Sequence, residues 1–213
     1  MQLGISPFSS GSAGPSDSSP RVVMGQWPQG EAAGPEPIIW LVRHQDGGSM
    51  LLLAEKALDA APFHIDESAA GWEDCTLRAW LNGEFLSRAF SEEERSRIIP
   101  TATGTDYENQ VFSSSVDSVF LLSQREAETY LGEGTPSWCP PTPYAQARGA
   151  FHTGILGTTF WWLRGLEREA FAPCVSQIGL YTLRKHDCTD AAVRPALWVH
   201  SPASCPGPLP DKK

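Results

Sequence analysis

The stretch FWWLRGLEREAFAPCVSQIGLYTLRKHDCTDAAVRPALWV, Phe160 to Val199, decides the fold. It holds four short apolar pieces, Phe160 to Leu163, Ala172 to Val175, Leu180 to Leu183 and Val193 to Val199, divided by Gly, Pro and polar residues. None has helical periodicity, and their length and punctuation fit strands of an antiparallel or mixed sheet. Pro195 cannot donate to a ladder, which confines it to an edge or a bulge. Trp161 and Trp162 must face opposite sides of a strand, so one is expected in the core and the other against a second surface or a partner.

Upstream the signals change. Ile38 to Val42 and Met50 to Leu53 flank Gln45-Asp46-Gly47-Gly48, a hairpin signature. Leu77, Trp80, Leu81 and Phe85 recur at helical spacing after the possible cap Asp74, which predicts a helix over Leu77 to Arg88. Ser91 with Glu94, and Ser123 with Glu126, match capping boxes, predicting helices to about Ile98 and Leu131; Val119 to Leu122 before the second reads as a strand. No helix is expected beyond Gly132. Helices early and strands late make an α+β fold, loop-rich, with short helices on antiparallel or mixed sheets.

With 213 residues and 41% hydrophobic content the chain can bury one sizeable core, rich in its eight Trp and nine Phe. A single domain is expected over 21–200, between a flexible N-terminal segment 1–20 and a flexible tail 201–213 that lack apolar periodicity. The net charge of −9 and the lack of any basic cluster argue against nucleic acid as a partner and against polybasic membrane attachment. No apolar run suffices for direct membrane insertion and the N-terminus has no apolar h-region. Five widely spaced cysteines without a CxxC favour a reducing compartment. A cytoplasmic location is the default, with surface or virion display through a partner.

Chemical motifs are sparse. The histidines His44, His64, His152, His186 and His200 have no zinc-ligand spacing, and Asp187, Thr189 and Asp190 are too few oxygen ligands for a convincing calcium loop. There is no GxSxG elbow and no phosphate-cradling glycine loop, which weakens hydrolase and nucleotide chemistry. The acidic Glu92 to Glu94 and Glu126, Glu128 suit the first turns of helices. Neither a cofactor nor a metal nor a catalytic residue is expected.

Seven blocks carry a resemblance: Trp40-Leu41-Val42, Leu51 to Glu55, Trp72 to Asn82, Val119 to Ser123, Pro143-Tyr144-Ala145, Trp161-Trp162-Leu163-Arg164 and Val193 to Trp198. In that order, over about Val23 to Val199, they resemble an uncharacterised domain family of gut bacteria and their phages whose members end in WWLR followed by RPAL. The family is similar to C-type-lectin-like folds, in architecture to formylglycine-generating enzymes and to the variable proteins of diversity-generating retroelements. In such variable proteins a reverse transcriptase rewrites codons near the C-terminus, and the altered residues form one ligand-binding face.

The resemblance implies a non-enzymatic recognition scaffold with a hypervariable segment between Phe160 and Ala192. Its expected face comprises Phe160, Gly165, Leu166, Arg168, Glu169, Phe171, Pro173, Cys174 and Gln177. It continues through Leu180, Tyr181, Thr182, Arg184, Lys185, His186, Asp187, Cys188 and Thr189. Tyr181, Arg184 and His186 are the preferred anchors for an unknown protein or other surface ligand. Trp161, Leu163, Val175, Val193 and Leu197 are expected to hold the core. Two alternatives stand beside this: an oxidase like the formylglycine-generating enzymes, with copper between Cys174 and Cys188, and a plain structural or interaction domain.

Overall fold

The C-terminal run breaks where Pro195 removes a backbone donor, and its two halves enter different sheets. The structure is a computed structural model that describes residues 17–30, 34–66, 71–103, 106–107, 110–111, 115–132, 137–152, 154, 156–165 and 170–201. One sheet is antiparallel and contains, in spatial order, β1 (Arg21–Pro28), β2 (Pro35–Asp46), β3 (Ser49–Ala54), β14 (Ala196–His200) and β5 (Ile98–Ile99). The other runs β12 (Tyr181–Lys185), β11 (Phe171–Val175), β10 (Trp161–Trp162), β13 (Ala192–Val193) and β4 (Asp59–Ala60), with β10 and β13 parallel. Two small ribbons pair β6 (Thr101–Ala102) with β9 (Val116–Asp117), and β7 (Asp106–Tyr107) with β8 (Gln110–Val111).

The expected α+β class, with short helices beside mostly antiparallel sheets, is what the chain forms. Strands open the chain as well as close it, because β1 joins the first sheet. Its apolar pattern is broken by Gly25, which sits at φ +71 where the β1–β2 register shifts. At the ends of the described region, Asp17 and Ser19 bind Arg43, Pro20 O accepts from Val42 N at 2.9 Å, and Ser201 N donates to Gly48 O at 2.9 Å. The remainder of 1–20 and 201–213 lies outside the described residues.

The Asp46 turn forms as expected. The Asp46 carboxylate accepts from the backbone and hydroxyl of Ser49 at 3.2 and 2.6 Å, closing β2 onto β3. Both capping boxes also form, starting α3 (Glu92–Arg97) at Ser91 and α4 (Gln124–Tyr130) at Ser123. The helix expected over Leu77 to Arg88 departs in two ways. It is capped by Cys75 rather than Asp74, the Cys75 Sγ accepting from Arg78 N. It also widens from α1 (Thr76–Trp80) into a π turn, Leu81–Phe85, before α2 (Leu86–Ala89). Asn82 explains the widening: its amide donates to both Arg78 O and Val119 O, inserting a side chain into the helical ladder.

Val119 to Leu122 is not a strand. Asn82 Oδ1 accepts from Ser118 N and Val119 N, Phe120 alone bridges Ala196, and Leu121 O and Leu122 O accept from Arg164. Side chains therefore replace the ladder. A helix also exists beyond Gly132: α5 (Pro143–Ala147) starts at Thr142, whose hydroxyl accepts from Ala145 N, with Pro143 at a position that needs no donor. Among the described residues no helix is long and apolar enough to cross a membrane.

Tryptophans fill the core, and four of their indole N–H groups donate to oxygens. Trp40 donates to Met24 O, Trp161 to Ser137 O and Trp162 to Ala61 O. Trp72 donates to Asp117, a buried carboxylate that also takes the Arg78 Nε at 2.7 Å and the Thr103 hydroxyl. Asp117→Ala should cost about 2–4 kcal/mol in chemical denaturation, because it leaves three donors around an empty site. Gly25→Ala should cost at least about 2 kcal/mol by the same measurement, since a Cβ there meets Phe90 at 2.7 Å at a positive φ.

Candidate functional site

The hairpin β11–β12 lies at the edge of its sheet, and β10 supports it from within. Trp161 pairs with Val175 and Trp162 with Cys174, and both indoles are fully buried, one on each side of the strand. The two faces are both internal: Phe63 packs against Trp162 and the Arg194 guanidinium lies over Trp161, so neither indole faces outward to a partner. Leu163, Val175, Val193 and Leu197, expected in the core, are buried there.

The turn is held by local chemistry. Ser176 Oγ accepts from Leu180 N, Ser176 N donates to Leu180 O, and Gly179 supplies a φ of +85 where a Cβ would come to 3.4 Å from Trp138 N and 3.5 Å from Ser137. Thr158 Oγ1 donates to Gln177 O at 2.6 Å. The turn residue Ile178 is thereby pushed outward.

Strand alternation then sorts the side chains. The pairs Phe171–Lys185, Pro173–Leu183 and Val175–Tyr181 share one face, while Ala172, Cys174, Thr182 and Arg184 point the other way. Phe171, Ile178, Leu180 and Leu183 are 40%, 56%, 60% and 51% exposed, so four of the ten large exposed apolar side chains among the described residues fall on this hairpin. Lys185 is exposed on the same face as Phe171 and Leu183, Thr182 is exposed on the opposite one, and Tyr181 is half-buried, its hydroxyl pKa raised chiefly by burial. Asp187 and Thr189 are exposed in the following loop, and Gln177 is half-buried in the turn.

Other expected members of the face lie elsewhere. Cys174 is fully buried and His186 nearly so, stacked 5.8 Å from His64, so neither is available to a ligand at the surface. The inward-pointing positions of β11 and the backbone bond from His186 N to Ala170 O draw them in. Arg184 is internally satisfied: its Nη2 donates to both Asp190 oxygens at 2.6 Å, and its guanidinium lies 4.1 Å over the half-buried Phe160. Gly165 packs under Pro173, where a Cβ would come within 2.7 Å of the proline ring. Leu166, Arg168 and Glu169 lie outside the described residues.

Two exposed members were missed. Leu183 reads as a strand residue of either face, and Ile178 as part of a polar turn; the Ser176 to Gly179 punctuation was the available signal for the latter.

Among the described residues no three His, Cys, Asp or Glu side chains converge on a common metal position. The Cys174 thiol is pushed up to about 12 by burial, and that of Cys188 is raised by burial against the opposing pull of Arg184, which donates to its sulfur at 3.5 Å. Both are protonated at neutral pH. Treatment of the native chain with a thiol reagent at pH 7.5 should therefore modify Cys188 slowly, and Cys75, Cys139 and Cys174 only on unfolding, as read by mass spectrometry of the labelled peptides.

Two sheets sharing a C-terminal segment, with an edge hairpin that exposes apolar side chains beside a buried tryptophan frame, define a small α+β fold. The chain belongs to the family described as Domain of unknown function (DUF6273), whose model matches residues 47–201. No curated protein and no solved structure matches it.

Proposed function

We propose that the chain is a non-enzymatic recognition protein that binds a protein ligand through the β11–β12 hairpin, on a C-type-lectin-like scaffold comparable to the variable proteins of diversity-generating retroelements. The observation that carries this reading is the contrast within one short segment. Phe171, Ile178, Leu180 and Leu183 are exposed on a hairpin whose supports, Trp161, Trp162, Leu163 and Val175, are completely buried. Exposed apolar clusters with a cation at the margin, here Lys185, mark protein interfaces. A buried frame lets the outer positions change without loss of fold.

The lectin-like architecture has its own support: the first and last strands of the family-matched region, β3 and β14, pair antiparallel through five registered positions from Ala196–Leu53 to His200–Ser49. The ends of the region thus meet in one sheet and the loop-rich segment between them is displayed. The segment carrying diversity would run from Phe160 to Ala192, with Leu183 and Ile178 joining the exposed residues expected from sequence.

Sequencing the gene, its neighbours and its close copies tests the reading. Differences should concentrate in codons for the exposed residues between 160 and 192, next to an imperfect template repeat and a reverse transcriptase gene; an even spread of differences with neither neighbour would sink it. In the protein, Leu180→Glu and Leu183→Glu should each change unfolding free energy by no more than about 0.5 kcal/mol. Trp162→Ala should cost about 3–5 kcal/mol. Comparable losses at all three positions in urea titrations would show that the hairpin is scaffold and not a display surface.

A further inference from the structure

The link between β13 and β14 carries a buried charge with no direct ion pair among the described residues. Arg194 is 2% exposed; its Nε donates to Ala54 O at 2.9 Å and its guanidinium lies 5.0 Å over the Trp161 ring. Its Nη1 is buried without a hydrogen-bond partner, and among the described residues Arg194 forms no ion pair. Burial lowers its pKa, with Arg43 acting in the same direction and Cys139, Asp17 and Glu55 opposing. A guanidinium held in that condition is costly unless an anion reaches it.

The nearest acids are already engaged. Asp17 pairs with Arg43 at 2.5 Å and Glu55 with Arg21 at 2.8 Å. Lys56, exposed on the same rim, forms no ion pair among the described residues. Arg21, Lys56 and Arg194 against Asp17 and Glu55 give 3 − 2 = +1, a locally positive site in a chain of net charge −9. These groups border a cavity of about 330 Å³ whose remaining wall is apolar, formed by Leu41, Trp138 and Pro140.

We propose that this cavity binds a small organic carboxylate, whose anionic head neutralises Arg194 beside Lys56 and whose apolar body lies against Leu41, Trp138 and Pro140. A planar carboxylate matches guanidinium geometry, and the unpartnered Nη1 is the donor that such a group would reach as the cavity wall adjusts. An inorganic phosphate would supply the charge and leave the apolar wall wet, which is why the organic anion fits better. The volume sits at the small end of the usual range of about 300–1,000 Å³ for ligand sites. No wall residue belongs to β11 or β12, so the site stands independently of the recognition surface.

Isothermal titration of the full chain with hexanoate, acetate and inorganic phosphate, at matched ionic strength, tests the assignment. Hexanoate should bind saturably at one site per chain, about tenfold or more tighter than acetate because its additional methylenes are buried. It should also bind tighter than phosphate. Lys56→Glu, at an exposed position that folding does not need, should weaken hexanoate about tenfold, and Arg194→Gln, where it folds, should remove binding. Absence of saturable hexanoate binding up to about 20 mM, an affinity indifferent to Lys56→Glu, or a preference for phosphate would each overturn the carboxylate site.

Discussion

The segment from Ala192 to His200 is a member of both large sheets, and the two sheets cannot form independently of it. Val193 O accepts from Leu58 N, Pro195 O accepts from Ala54 N, and Phe120 and Ala196 exchange both backbone bonds. The proline supplies the break: it ends one ladder and leaves its carbonyl to start the next. These bonds satisfy the carbonyls of Val193 and Pro195 and both groups of Ala196, which lowers the desolvation cost that normally keeps irregular stretches at the surface.

That crossing fixes what the chain can display. β13 pins β10 by a parallel register of Trp161 with Ala192, and Ala192 N donates to Phe160 O. β10 in turn sets β11 and β12 through Val175 and Cys174. The hairpin is held on one edge only, by residues whose volumes are fully enclosed, so its outer side chains contribute little to the fold. Arg184 is the exception, because its bonds to Asp190 and its stacking on Phe160 tie the inner face of β12 to the loop that returns to β13.

Features set by contacts a few residues apart were legible in the sequence: the Asp46 turn, the capping boxes at Ser91 and Ser123, and the burial of Leu163, Val175 and Leu197. Features set by distant partners were not. β1 hides behind the Gly25 bulge, which interrupts its alternation. Thr142 and Pro143 read as loop until the cap to Ala145 N is seen. Val119 to Leu122 has strand composition, yet Asn82 and Arg164 supply its hydrogen bonds from elsewhere in the chain. At the surface, Thr182 and Lys185 were readable as exposed, whereas the burial of His186 depends on His64, far away in sequence. The isolation of Arg194 was equally hidden, since a charge in a motif says nothing about whether an acid will meet it.

The family match begins at Gly47, in the middle of the β2–β3 turn. A fragment cut there would lose the neighbour that shields Leu51, Leu52 and Leu53, three residues with no more than 1% exposure in the whole chain. The result is a bare, wholly aliphatic strand margin, the kind of template on which copies of a polypeptide stack end to end into insoluble fibres. The stretch preceding Gly47 thus covers an edge that the matched region alone would leave open.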